Sequence, residues 1–193
     1  MRICVFGAAS SKIDQEYKDK VEVLGKIIVE RGHSLVFGGG GTGLMGAVAT
    51  GVDNAGGHIF GVMPKFFEDE NIEAVYPNCD TLIEPDTMRE RKQIMDDNAE
   101  AFLIVPGGIG TLEEFFEILT SKQLCRHNKP IAIYNIKGYY DDLRNMLATA
   151  IDKGFIRPDC WKLLFISENV DEIFNYIETP DNNNLTINDL KNK

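Results

Sequence analysis

A chain of 193 residues, 44% hydrophobic and 26% charged, has the length and composition of one globular domain. Its net charge of −10 argues against nucleic acid as a partner, because phosphate backbones are held by fields of Lys and Arg, and leaves room for a small anionic ligand held by locally gathered cations. Nowhere do about 18 apolar residues run together, so no membrane span is expected, and the N-terminus enters Arg2-Ile3-Cys4-Val5-Phe6 without a signal-type segment.

Short apolar runs alternate with helical patterns along the chain. The run 3–6 precedes a helical pattern at 14–31, and the run 34–37 leads through glycines into a helix at 43–55. A third run at 59–62 is followed by an irregular stretch, 64–85, which reads as a surface loop and contains a weak run at 81–83. Then come a helix at 87–99, a run at 101–105, more glycines, and a helix at 111–125. The last pairs are a run at 131–134 with a helix at 139–152, and a run at 163–166 with a helix at 170–178. Such alternation predicts βαβ units with right-handed crossovers: an α/β, Rossmann-like, doubly wound parallel sheet in a single domain over 1–178. Runs that are apolar throughout suit strands covered on both faces. The tail 179–193 is Asn-rich and polar and is expected to be flexible.

Cys4, Cys79, Cys125 and Cys160 are widely separated, which gives no zinc spacing and reads as reduced thiols of a cytoplasmic protein. His33 and His58 sit in Gly-His turns before strands and His127 in a loop, so no metal site is expected.

The chemistry gathers at two glycine-rich turns. After the run 34–37 comes Gly38-Gly39-Gly40-Gly41-Thr42-Gly43-Leu44-Met45-Gly46. Strand, glycines and helix form the geometry that holds phosphate on backbone N–H groups. Residues 41–46 match the dinucleotide pattern G-x-G-x-x-G, but the next strand ends Gly61-Val62-Met63-Pro64, without the carboxylate an NAD site needs, and no GK[ST] follows. Gly39, Gly40 and Gly43 are therefore candidate contacts to a phosphate or ribose; the alternative is that these glycines serve close helix–sheet packing. The run 101–105 leads into Pro106-Gly107-Gly108-Ile109-Gly110-Thr111-Leu112-Glu113-Glu114. Glu114, one turn past a phosphate loop, is a candidate catalytic carboxylate. Thr111-Leu112-Glu113-Glu114 also fits a capping box, in which the Glu merely satisfies its own helix end. Between the turns, Met88, Met95 and Ala99 form one stripe of a helix, flanked by Arg91 and Lys92. Two cations beside an apolar face call for a partner, either a ligand phosphate or solvent reached by snorkelling.

The three segments 38–46, 88–92 and 106–114, together with Lys129-Pro130, Gly138-Tyr139-Tyr140 and Phe155-Ile156, resemble the Lonely Guy family of cytokinin riboside 5′-monophosphate phosphoribohydrolases. The resemblance implies hydrolysis of a nucleoside 5′-monophosphate to free base and ribose 5-phosphate, a homodimer, and neither metal nor redox cofactor. It puts the catalytic pair on Arg91 and Glu114. It puts nucleotide contacts on Lys92, on Gly107, Gly108, Ile109, Gly110 and Thr111, and on Thr120, with Met88 beside them. Thr120-Ser121 stands where members often carry Thr-Trp, which bears on the base pocket. Many relatives are labelled lysine decarboxylases, yet nothing in this chain marks a pyridoxal-phosphate lysine. A non-catalytic nucleotide- or cofactor-binding protein is the alternative reading.

Overall fold

The computed structural model describes residues 1–179 and 186–190. Seven strands form one parallel sheet: β1 (Arg2–Phe6), β2 (Ser34–Phe37), β3 (Ile59–Val62), β4 (Thr81–Ile83), β5 (Ala101–Ile104), β6 (Ile131–Tyr134) and β7 (Phe165–Ser167). Their order is β4-β3-β2-β1-β5-β6-β7, and the weak run 81–83 is indeed the edge strand β4. The helices are α1 (Gln15–Glu30), α2 (Gly43–Asn54), α3 (Lys65–Asp69), α4 (Met88–Asn98), α5 (Ile109–Gln123), α6 (Asp141–Asp152), α7 (Val170–Glu178) and α8 (Ile187–Leu190). Within the stretch 64–85, read from sequence as loop, the chain forms the short helix α3 as well as β4.

Side chains alternate across each strand, so every buried strand feeds two cores. Ile3 and Val5 join Leu24 of α1, Val48 of α2 and Phe174 of α7. Cys4 and Phe6 join Met95 of α4 and Phe115 of α5 on the opposite face. β1, β5 and β6 are buried almost throughout, as continuous apolar runs demand when helices cover both faces. The expected flexible tail falls on 180–185 and 191–193, outside the described residues, and on 186–190, where Leu190 is buried and its carbonyl accepts from Gln123 Nε2 at 3.0 Å.

The winding direction reverses at β1, which pairs with β2 on one side and β5 on the other. A doubly wound sheet opens a crevice beyond the carboxyl ends of its strands at that point. The loops after β1, β2 and β5 all end there.

Helices α1 and α2 approach so closely that glycine is required on both. A Cβ on Gly51 would overlap the Glu22 carbonyl oxygen, and one on Gly25 would overlap that of Val48. Gly51→Ala is therefore expected to destabilise the fold by about 1–3 kcal/mol through overpacking. Urea denaturation checks this: the midpoint should fall, and an unchanged midpoint would mean that the two helices part without cost.

Candidate active site

Three loops are bonded together at the crevice. Ala8 N donates to Pro106 O at 3.1 Å, Leu44 N to Ala8 O at 2.8 Å, and Thr42 Oγ1 to Ala9 O at 2.6 Å. Gly38 and Gly40 of the first glycine turn and Gly108, Gly110 and Thr111 of the second line one cleft of about 430 Å³. Gly7, Ala8, Ala9 and Ser10, directly after β1, form its floor. Sequence reasoning passed over this segment, whose only signal is four small residues behind the first strand.

The two glycine turns do different work. In the first, Gly41 N donates to Ala74 O and Tyr76 N donates to Gly39 O, each at 2.8 Å. Its backbone is thus committed to the segment before β4. A Cβ on Gly38 would overlap the Arg91 guanidinium. Gly43 has φ +59°, and a Cβ there would press on Ala9. The bareness of this turn admits charged side chains and neighbouring loops.

In the second turn, α5 begins at Ile109 with Gly108 as its N-cap and no side-chain cap. The first N–H groups of a helix have no intrahelical partner. The N–H groups of Ile109, Gly110 and Thr111 are in that position, and Cβ atoms on Gly108 or Gly110 would meet nothing within 4 Å. Backbone amides so placed, at the positive end of a 15-residue helix, have the geometry that can accept an anion. Because the helix starts two residues before Thr111, Glu114 lies beyond capping reach, and the capping-box alternative falls. A real capping box lies at the start of α4, between Thr87 and Glu90.

Glu114 faces the cleft and takes a hydrogen bond from Arg91 Nη1 at 3.2 Å. The two side chains are only 11% and 12% exposed. Arg91 is fixed by donating from Nε to Val62 O at 3.1 Å and from Nη2 to Gly38 O at 3.4 Å, and it lies against the Phe67 ring. Burial pushes the Glu114 carboxyl up to about 7; Arg91 opposes the shift and the charge on Glu113 adds to it. The carboxylate is thus poised near neutrality.

Other expected residues are placed differently. Lys92 binds Glu113 and Glu117 of α5, each at 2.5 Å, and lines a neighbouring polar cleft of about 340 Å³. Its hydrogen bonds to Glu113 and then Glu117 hold its ammonium above the usual range. The partners of both cations are carboxylates of α5. Met88 lines the main cleft, whereas Gly107 lines a small apolar hollow beside it. Ile109 is 89% exposed, and Thr120 is exposed and lines neither cleft. Ser121 lines the Lys92 cleft, and Glu114 forms part of the wall of both. Behind the second turn, Tyr139 Oη donates to Gly107 O and Tyr140 Oη to Val105 O, each at 2.9 Å, which fixes the turn's carbonyls. Among the described residues no group of three His, Cys, Asp or Glu side chains is placed to hold a metal.

The raised Glu114 pKa makes stability depend on pH. The folded state holds this proton more tightly than the unfolded chain, so ionisation costs stability as pH rises from about 4.5 through 7. Glu114→Gln, which stays neutral, is expected to gain on the parent by up to about 3 kcal/mol between pH 5 and pH 8. Denaturant unfolding of both proteins at the two pH values checks this; equal differences at both would contradict it.

The family described as "Possible lysine decarboxylase" matches residues 45–177. Among curated relatives, the cytokinin riboside 5′-monophosphate phosphoribohydrolase LOG2 of Arabidopsis thaliana is 36% identical over 92% of this chain and 82% of its own length. The Arabidopsis LOG7 enzyme of the same name is 38% identical over 92% and 81%. The probable phosphoribohydrolase LOGL9 of Oryza sativa subsp. japonica is 41% identical over 86% and 72%. Among solved structures, the molybdenum cofactor binding protein of Rippkaea orientalis superposes with a TM-score of 0.68 at 21% identity, over 92% of this chain and 94% of that one. The molybdenum cofactor carrier protein of Chlamydomonas reinhardtii gives 0.66 at 20%, over 92% and 95%. At such identity these two share the fold alone. The curated relatives share the sequence across nearly the whole chain, which therefore belongs to the Lonely Guy family of cytokinin riboside 5′-monophosphate phosphoribohydrolases.

Proposed function

We propose that this protein hydrolyses the N-glycosidic bond of a nucleoside 5′-monophosphate, a cytokinin riboside monophosphate or AMP, to free base and ribose 5-phosphate. One observation carries the reading: a buried, Arg-held carboxylate lies one turn inside a helix whose unpaired first amides open onto the same cleft.

The substrate phosphate sits on the amides of Ile109, Gly110 and Thr111, where the helix dipole favours an anion. That anchorage brings the ribose toward Glu114. Glycosidic cleavage passes through an oxocarbenium-like state with positive charge on the sugar ring. Ionised Glu114 stabilises that charge and takes a proton from the water whose oxygen bonds to C1′, while the base leaves with the bonding pair and is protonated by solvent, to which Glu114 then returns its proton. Arg91, locked to two backbone carbonyls, is the positioning residue that orients Glu114. Gly39, Gly43, Lys92 and Thr120 stand outside this cleft's lining and act, on this reading, by shaping loops or through a second copy of the chain. A homodimer rests on the resemblance, and a cytoplasmic location on four free cysteines; no described helix is long and apolar enough to cross a membrane. A carrier would need the amides but has no use for a buried carboxylate poised near neutrality.

Chromatography of the free base tests the reaction. Glu114→Gln should retain nucleotide binding and lose about 10²–10³-fold in kcat. For the parent, kcat/KM should rise with pH and level off above about 7, as Glu114 becomes ionised. Removing the 5′-phosphate should depress kcat/KM strongly, because the amide anchor then has nothing to hold. Unchanged turnover by Glu114→Gln, or ribosides reacting as well as their monophosphates, would refute the mechanism.

A further inference from the structure

Tyr139 follows a turn in which two successive residues, Lys137 at φ +56° and Gly138 at φ +69°, take the left-handed region. For Lys137 that is a strained backbone, of the kind proteins keep where something must be aimed. Asn135 holds the turn: its Oδ1 accepts from Tyr140 N at 2.7 Å, and its Nδ2 donates to Asp141 Oδ1 at 2.9 Å. The turn delivers two tyrosines, side by side, to the back of the second glycine turn.

Their situations differ. The buried Tyr140 must pair its hydroxyl, and Val105 O supplies the acceptor. Tyr139 is under no such demand, since it is 47% exposed and water is available to its hydroxyl. That hydroxyl is nevertheless bound to Gly107 O. Its ring is set by edge contacts with Tyr17 and Tyr140, whose centroids lie 6.4 and 4.9 Å away, and the Lys137 ammonium lies over the Tyr17 ring. A half-exposed side chain held this firmly serves what its hydroxyl touches.

What it touches controls the next amide. A peptide unit is planar and trans, so a carbonyl and the N–H that follows it point in opposite directions. Gly107 and Tyr139 line the small apolar hollow, whereas Gly108 borders both that hollow and the main cleft. With the Gly107 carbonyl held on the hollow side, the Gly108 N–H is turned to the cleft side. Among the described residues no backbone carbonyl accepts from it. Without the hold, a peptide between two glycines is free to rotate. We propose that Tyr139 is a positioning residue: its hold on Gly107 aims the Gly108 N–H at the substrate phosphate, as a fourth amide beside those of Ile109, Gly110 and Thr111. The proposal rests on reading the cleft as a nucleotide site.

Tyr139→Phe removes the hydroxyl and keeps the ring. Calorimetric titration with ribose 5-phosphate should show about tenfold weaker binding in the variant, because an aimed donor to a charged oxygen is lost. For AMP, KM should rise about tenfold with kcat little changed, while the residual reaction of adenosine, which brings no phosphate, stays as in the parent. A merely structural role would lower both reactions alike. In nitrogen–proton NMR spectra the Gly108 amide of the parent should move on adding ribose 5-phosphate, a readout that needs no variant and stands if Tyr139→Phe fails to fold. Unchanged affinity in the variant, a Gly108 amide that does not respond, or equal losses for AMP and adenosine would each overturn the proposal. Base release separates this from the reaction proposed above. Base release by the parent with Tyr139→Phe indistinguishable from it would keep the hydrolase and remove the role of Tyr139; a Tyr139-dependent hold on ribose 5-phosphate without base release would do the reverse.

Discussion

Arg91 joins the parts of this molecule that must meet for chemistry. From α4 its guanidinium reaches the end of β3 at Val62, the first glycine turn at Gly38 and the carboxylate of Glu114 on α5. A buried cation is tolerated only when fully paired. Its presence therefore fixes the spacing of β2 and β3 relative to α5 and holds one Glu114 oxygen in place. The glycine at 38 follows from the same demand, since any side chain there would occupy the guanidinium's position. Burial of the pair in turn raises the Glu114 carboxyl to about 7, which sets a carboxylate between its neutral and charged forms near physiological pH.

Much of the architecture is legible in the residues. Val- and Ile-rich runs covered on both faces, alternating with 3.6-residue patterns, point to the parallel sheet, and every central strand lies where its apolar run does. Ends are less legible. The helix pattern at 111–125 starts in fact at Ile109, because glycine and isoleucine carry little signal for a first turn. That shift decides the chemistry. Thr87-Met88-Arg89-Glu90 and Thr111-Leu112-Glu113-Glu114 carry the same T-x-x-E spacing, yet only the first is a capping box. Local sequence cannot distinguish them, because the distinction depends on which backbone turns first.

The site shows the same division. Glu114, Arg91 and the second glycine turn can be found by their spacing along the chain. Lys92 cannot be assigned that way, since its partners Glu113 and Glu117 lie on another helix. The floor at residues 7–10 and the hold of Tyr139 on Gly107 come from long-range pairing of loops, which no periodicity records. Fold likewise leaves function open: proteins that bind or carry molybdenum cofactor share this sheet at 20–21% identity. What sets this chain beside the phosphoribohydrolases is the whole-length sequence likeness, and what makes hydrolysis physically reasonable is the buried carboxylate one turn inside a helix whose first amides have no side-chain cap.

The most direct test is a crystal structure of the Glu114→Gln protein with AMP bound. The phosphate should lie within hydrogen-bond distance of the amides of Ile109, Gly110 and Thr111, with C1′ facing the side chain at 114. A nucleotide whose phosphate lay elsewhere, or whose C1′ pointed away from that side chain, would contradict the account.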